Sequence, residues 1–353
     1  MNVKWKFWEG SPGLFSGLFE KAAGATRSIA TIVAACVGLY LLVVLGLAWM
    51  WNDEPDLVDV VEVSAQQAAA NGYRAVTGYT TTQTLIVLGE ALLDKRGGYL
   101  SNDLFPPGAW LDNIPSWEHG VLVQIRDMSR AMRIDFSRSQ SQSAEDPDLS
   151  VAEGKFFFDA TSWIFPQTEN EYRTAIEHVA AYRDHIADPA NTTAQFYARA
   201  DNLRAWLIGV ETRLGSLSQR LSASVGKRQL NLDLAGDTAA TQATDVPEET
   251  DIKTSWFEID NVFYEARGQA WALVHLLRAV DHDFSAVLDD KNARVSLRQI
   301  IRELEATQAA IWSPMILNGS GFGMWANHSL VMASYISRSN AAIIDLRALL
   351  AQG

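Results

Sequence analysis

Cysteine is almost absent: Cys36 is the only one in 353 residues. A chain without thiol pairs has no disulfide staple and no thiolate zinc site, and thiol catalysis is excluded, so its folded part must be held by a packed core. Basic charge is scarce as well. Lys and Arg total 29 against 42 Asp and Glu; residues 1–27 carry four basic and two acidic side chains, which leaves a net charge of −15 on the rest of a chain whose total is −13. So acidic a body repels nucleic acid and an anionic membrane surface, which argues against binding either through bulk electrostatics, and no nucleic acid is expected among its partners. Strand signals are missing too: alternating runs are rare, and Asn71-Gly72 and Asn318-Gly319 do not sit between β-branched segments. The spacing His-Glu-x-x-His does not occur, and glycines 319, 321 and 323 are followed by no Lys-Ser/Thr and preceded by no strand pattern, so a zincin helix and a nucleotide loop both drop out.

What the sequence does have is one long charge-free run. From Ser28 to Asn52 no side chain is charged, and the centre from Ile32 to Leu47 is almost wholly apolar. About 20 such residues, at ~1.5 Å rise each, cover the ~30 Å hydrocarbon layer of a bilayer. A cleaved signal would show about 7–15 apolar residues and a small-residue cleavage site. This run is longer and ends in Trp49-Met50-Trp51, so an uncleaved transmembrane helix over 28–52 is expected, with Trp49 and Trp51 at the headgroup boundary; a buried core helix is the competing explanation. Lys4, Lys6, Lys21 and Arg27 precede the run, whereas Asp53, Glu54, Asp56, Asp59 and Glu62 follow it with no basic residue before Arg74. That asymmetry places residues 1–27 in the cytoplasm and the remainder across the membrane. Within 1–27, Trp5, Trp8 and neighbouring Phe and Leu residues interleave with Lys, Gly and Ser, a mixture suited to lying in the headgroup layer.

Beyond the run, helical periodicity dominates. Ala200, Leu203, Leu207, Val210, Leu214, Leu217 and Leu221 continue from Phe196 in steps of 4 and 3, the heptad seam of a helix packed in coiled-coil style, with Asp188, Asn191 or Thr192 as a cap. Val121, Ile125, Met128 and Met132 make a second stripe, Phe263 to Val280 a third, and Met332 to Leu350 a fourth. The expected fold is therefore all-α: one N-terminal transmembrane helix followed by an elongated antiparallel helical bundle. Residues 53–79 read as a stalk, 80–228 and 254–353 as two helical halves, and 229–253 as an acidic, solvated loop between them. The heptad seam can pack within the chain or against another copy, so a homo-oligomer stays open.

The chemical leads are weak. His178 and His185 are seven apart, as are His275 and His282, two helical turns rather than the single turn a zinc pair wants; surface or hydrogen-bonded core histidines explain them more cheaply. His275 lies in Trp271-Ala-Leu-Val-His-Leu-Leu and should be buried with a polar partner. Glu90, Asp94, Glu118 and Asp127 lie near aromatic residues, as the two acids of a peptidoglycan hydrolase would, yet no spacing singles out a pair. No catalytic, cofactor or metal residue is assigned.

Two loops are richer than linkers need to be. The first, Gly97 to Glu118, holds Tyr99, Leu104, Phe105, Trp110 and Trp117 among prolines; these side chains should seek burial and plug one end of the bundle, a groove being the alternative. The second, Trp312 to His328, includes Trp325 and three glycines suited to a tight helix-to-helix turn. Tyr99, Phe105, Trp110, Trp117, Trp312, Trp325 and His328 are thus the candidate interaction or ligand residues.

Gly97-Gly-Tyr-Leu-Ser-Asn-Asp103, Pro106-Pro-Gly-Ala-Trp-Leu-Asp-Asn113, Phe196-Tyr-Ala-Arg-Ala-Asp-Asn-Leu203, Val262-Phe-Tyr-Glu-Ala-Arg-Gly-Gln269 and Trp312-Ser-Pro-Met-Ile-Leu-Asn-Gly-Ser-Gly-Phe-Gly323 carry a resemblance. Together they resemble a family of uncharacterised proteobacterial inner-membrane proteins, grouped only as a domain of unknown function, over most of the chain from the anchor to Leu350. The resemblance implies a Gram-negative inner membrane and a periplasmic body, and brings no activity or catalytic residue. The expected function is a scaffold or adaptor for another envelope protein; a lipid- or small-ligand-binding domain is the alternative, and a carboxylate-dependent peptidoglycan hydrolase has the least support.

Overall fold

The computed structural model describes residues 13–139, 144–191, 193–230, 249–313, 315–320 and 324–352, which fall into two units, Met1–Met50 and Trp51–Gly353. The first unit is essentially α1 (Gly13–Trp51). Its stretch Ala30–Trp51 is 22 residues long and apolar enough to cross a membrane. The side chains of that stretch are almost all exposed, Leu42 at 72% and Trp49 at 85%, unlike those of a core helix. The helix already runs at Gly13, inside the segment expected as a separate N-terminus; Trp5 and Trp8 lie outside the described residues.

The second unit is all-α apart from one ribbon. Its helices are α2 (Val60–Ala70), α3 (Tyr79–Asp94), α4 (Asn113–Ala131, prolonged by a π-helical turn Met132–Phe136), α5 (Pro147–Phe156), α6 (Thr168–Ala187), α7 (Ala200–Ser222), α8 (Ile259–Asp283), α9 (Ser285–Asp290), α10 (Arg294–Ala306) and α11 (His328–Ala351). Asp59 caps α2 by accepting from the N–H groups of Val61 and Glu62, and Asp146 caps α5 ahead of Pro147 in the same way. The start of α3 has no cap of its own. Asp283, at the end of α8, supplies it by accepting from the Thr81 N–H and hydroxyl, both at 2.7 Å.

The heptad seam of α7 is buried throughout, from Leu203 to Leu221. The helix itself starts later than the seam implies, at Ala200: residues before it are extended, and the Tyr197 N–H donates to the Phe136 carbonyl at 2.7 Å. Asp188 and Asn191 therefore do not cap the start of α7: Asp188 ends α6, and the two side chains accept from the N–H groups of Ala190 and Thr193 in a local turn, while Thr192 is outside the described residues. The ribbon pairs β1 (Lys227–Leu230) with β2 (Glu249–Ile252) antiparallel. It brackets the acidic segment, of which 231–248 lie outside the described residues. Lys-Arg-Gln-Leu and Glu-Thr-Asp-Ile show no apolar alternation, which is why no strand was expected there.

The axis of the second unit is α8, buried on nearly every side and packed against α2, α3, α4, α7, α10 and α11. Helices from both expected halves thus share one core. Side-chain bonds give the directions. α10 runs antiparallel to α8, since Arg298 meets Asp281, Glu305 meets Arg278, and the Thr307 and Ala309 carbonyls meet Arg267. α7 and α11 are antiparallel through Glu211–Arg347 and the approach of Gly215 to Asn340. α3 and α6 are antiparallel through Gln83–Arg183 and Asp94–Arg173. α4 and α8 are the exception: they start together around one cavity and end together where the rings of Phe136 and Phe284 stand 5.3 Å apart, so they run the same way.

These two parallel helices meet through glycine. A Cβ on Gly120 would overlap the Glu265 carbonyl, and one on Gly268 would overlap that of Trp117, so the backbones touch. Polar side chains bridge the crossing in a chain: Arg220 donates to Glu265, Gln269 donates to Glu265, and Gln124 donates to Gln269. Gly120→Ala or Gly268→Ala is expected to lower stability by roughly 1–3 kcal/mol. Gly209→Ala, on α7 with open space around the new methyl, is expected to raise it by about 0.5–1 kcal/mol. Denaturant unfolding of the detergent-solubilised chain reads both.

Candidate functional site

The chain enters the second unit at Trp51, and the residues that follow, expected as a stalk, are laid along α8 instead. Arg267 grips the Glu54 carboxylate through two nitrogens and donates its remaining reach to the carbonyls of Thr307 and Ala309. One turn on, Trp271 Nε1 donates to the Asp56 carbonyl at 3.4 Å. A further turn on, His275 Nε2 accepts from the Val58 N–H at 3.0 Å, and Arg278 then donates to the Val58 carbonyl at 3.1 Å. Positions 267, 271, 275 and 278 fall on one helical face, which is why one strip of chain meets all four, through the Glu54 carboxylate at Arg267 and through its backbone at the other three. His275 is fully buried, as its apolar surroundings led one to expect, and has its polar partners. Its Nδ1–H donates to the Trp271 carbonyl, which fixes the neutral tautomer with Nε2 as acceptor. Burial, in the first place, lowers its pKa to about 4, the Trp271 carbonyl working against that and Arg278 with it.

Side-chain placement at the N-terminal end of α8 decides the fate of the expected site residues. Tyr99 and Trp117 are buried, as a plug requires, Trp117 with its ring 5.1 Å from that of Trp271. Beneath them Glu118 forms a buried pair with Lys95 and also accepts from the Leu100 and Ser101 N–H groups at 2.9 Å. Burial pushes the Glu118 carboxyl up, and Lys95 with the Ser101 and Leu100 donors opposes it. This fastens the loop after α3. The other half of that loop breaks the expectation of burial: Leu104, Phe105 and Trp110 are exposed, Phe105 at 72%, while Pro107 and Gly108 between them are the residues that turn inward.

Three cavities gather at this same end. Tyr99 and His119 share one of about 350 Å³ with Arg220, Glu258 and Glu265. Phe105 lines another of about 280 Å³ with Trp51, Leu104 and Trp163. Trp312 and His328 lie over a third, apolar one of about 340 Å³ between α8, α10 and α11, with Phe263, Arg267 and Tyr335. Trp312 is 96% exposed and Trp325 73%. Their loop is a hairpin rather than a simple turn: Asn318 pairs with Asn327, the Gly319 N–H donates to the Ala326 carbonyl at 3.0 Å, and His328 Nδ1 accepts from the Leu317 N–H at 3.1 Å. Gly321 and Gly323 are outside the described residues.

The remaining leads disperse. Asp94 is paired with Arg173, Asp127 with Arg213 and Glu118 with Lys95, each acid committed to a different cation. His178 and His185 do share a face, and both reach Asp148, at 2.8 and 3.4 Å. Among the described residues no three His, Cys, Asp or Glu side chains stand close enough to share a metal ion. The functional residues missed in the sequence are Arg267 and Arg278. Their signal was there: two cations inside the otherwise apolar run Ala-Arg-Gly-Gln-Ala-Trp-Ala-Leu-Val-His-Leu-Leu-Arg demand buried partners.

A family profile described as uncharacterized protein conserved in bacteria, DUF2333, matches residues 24–353. No curated protein and no solved structure matches the chain.

Removing one side of the buried pair strands the other. Glu54→Ala is expected to cost about 3–5 kcal/mol, against at most about 1 kcal/mol for Asp53→Ala, whose pair with Arg96 is exposed on both sides. Equilibrium unfolding in detergent compares them. His275 adds a pH signature. Its pKa is depressed on folding, so its contribution is complete above pH ~6.5 and is lost as pH falls towards about 4. Over that window the native chain should lose more stability than His275→Gln, by on the order of 3 kcal/mol, read as the difference in denaturant midpoints.

Proposed function

Taking as premise that the chain belongs to this DUF2333 family of bacterial proteins, we propose that it is a single-pass inner-membrane protein whose helical body stands in the periplasm as a scaffold or adaptor for another envelope protein. The exposed apolar stretch Ala30–Trp51 and the unequal charges on its two sides support the membrane placement and the orientation. The observation that carries the scaffold reading is the strip 54–58 on α8. A protein that only needed confinement to the membrane could hang from a loose linker. Here the first residues of the second unit are clamped onto its central helix by buried side chains, so the body begins as ordered structure rather than as a loose tether. The buried ionisable groups Lys95–Glu118 and Arg267–Glu54 are spent on structural pairs, and Glu265, which does line a cavity, is held by Arg220, which favours a non-enzymatic role over the hydrolase. The apolar cavity under Trp312 and His328 favours a second reading, in which the body takes a lipid or small apolar ligand there.

Membranes from cells carrying a photo-crosslinker at Ile208 or Ile344, exposed positions on α7 and α11, test the first reading. A reporter fused after residue 353 should be active only outside the cytoplasm, and crosslinking should give one discrete adduct of constant mass. A reporter active only inside the cell overturns the orientation. No adduct from either position in correctly oriented protein overturns the scaffold.

A further inference from the structure

The exposed aromatic residues of the body are not scattered. Four loops close the N-terminal end of α8: 95–112 after α3, 157–167 between α5 and α6, 253–258 before α8, and 307–327 before α11. Phe105 and Trp110 stand on the first and Trp163 and Phe165 on the second, with Phe165 at 92% exposure. Trp256 and Phe257 stand on the third and Trp312 and Trp325 on the fourth, beside Met324 at 99%. The exposed Trp and Phe among the described residues from Val60 onward lie at this end, except Phe157, which at 47% exposure is covered on one side by Arg126 and Arg130 of α4. At the other end the aromatics turn inward: Phe136, Phe196 and Phe284 pack against one another with ring separations of 5.3–5.8 Å. Exposed apolar side chains elsewhere are single aliphatics such as Val295 and Ile344, an ordinary surface feature.

The same end is where the chain arrives. Trp51, the last residue of the apolar helix, shares a cavity with Phe105 and Trp163, and its ring lies where a Cβ on Gly97 would be. Glu54, three residues on, is held beside Ala309 by Arg267, three residues before Trp312. Within the second unit, these loops therefore lie beside the residues that follow directly on the apolar stretch. Trp and Phe on such a rim are the residue types that settle among lipid headgroups, whereas a solvent-facing patch of this size is a liability. We propose that these four loops form a lipid-contact face, seated in the headgroup layer of the bilayer that α1 crosses. The proposal rests on the spanning reading of α1. The acidic body gives such a face no electrostatic pull, so the contact is apolar and insensitive to salt.

The test uses the full-length chain, carrying Cys36→Ser, reconstituted alone into zwitterionic lipid vesicles. Nitroxide labels are placed at Phe105→Cys, Phe165→Cys and Trp312→Cys, with Val295→Cys, exposed at the start of α10, as the reference. Expected is a severalfold higher ratio of lipid-phase oxygen to aqueous nickel-chelate accessibility at 105, 165 and 312 than at 295, unchanged when salt is raised. Equal ratios at all four sites in protein that resists alkaline carbonate overturn the lipid face while leaving the span intact, and point to a protein partner over these loops. Release by carbonate overturns the span and the lipid face with it.

Discussion

Arg267 is the hinge of the energetic logic. A guanidinium almost fully buried in the middle of the central helix is tolerable only if its charge and its donors are answered, and the answer comes from outside the helix: the Glu54 carboxylate and two carbonyls at the end of α10. Three parts of the chain, the entry strip, α8 and the start of the Trp312 loop, are thereby fixed to one atom group. Their positions follow from the need to leave no buried charge unpaired.

Around that point the body is organised by contrast between its ends. At the C-terminal end of α8 the contacts are those of a finished core, with an aromatic triad and the Asp283 carboxylate capping α3. At the N-terminal end the buried charges are paired, Lys95–Glu118 and Arg267–Glu54, although Asn113 Oδ1, Trp117 Nε1 and Asn261 Oδ1 find no partner, and large apolar side chains are left outside. A chain that satisfies every buried charge there and yet exposes Phe165, Trp312 and Met324 has not run out of ways to hide them; that end is built to meet something apolar. The glycine crossing of α4 and α8 supports this arrangement, since it holds the two helices that carry the loops in parallel and in backbone contact.

Much of this was legible in the amino-acid order. The stripes of α4, α7, α8 and α11 could be read because burial on one helical face imposes a period that short windows display, and His275 was readable as a buried polar residue for the same reason. The charge-free run was readable as one long apolar helix because its length and composition suit no ordinary surface helix. The strip 53–58 was not. Acidic residues after a hydrophobic run look like a solvated stalk, and only the cations 213 and more residues away on α8 reveal that Glu54 is inside. The candidate loops were half legible. Composition said that Tyr99, Phe105, Trp110 and Trp117 would avoid water, but it could not say which would be covered by protein; Tyr99 and Trp117 are, while Phe105 and Trp110 are not.

The rungs between the entry strip and α8 also set an order of assembly. Val58 leaves the ribosome long before His275, its partner 217 residues downstream, so the strip has nothing to bind while the intervening helices are made. Contacts this remote in sequence close late and carry the loop-closure cost of everything between. Until α8 is complete, a newly made chain is an apolar helix followed by unsealed helices, exposed to proteolysis and to wrong partners. Completion of one helix converts that string into a body, and the moment of conversion is written into the distance between Glu54 and Arg267.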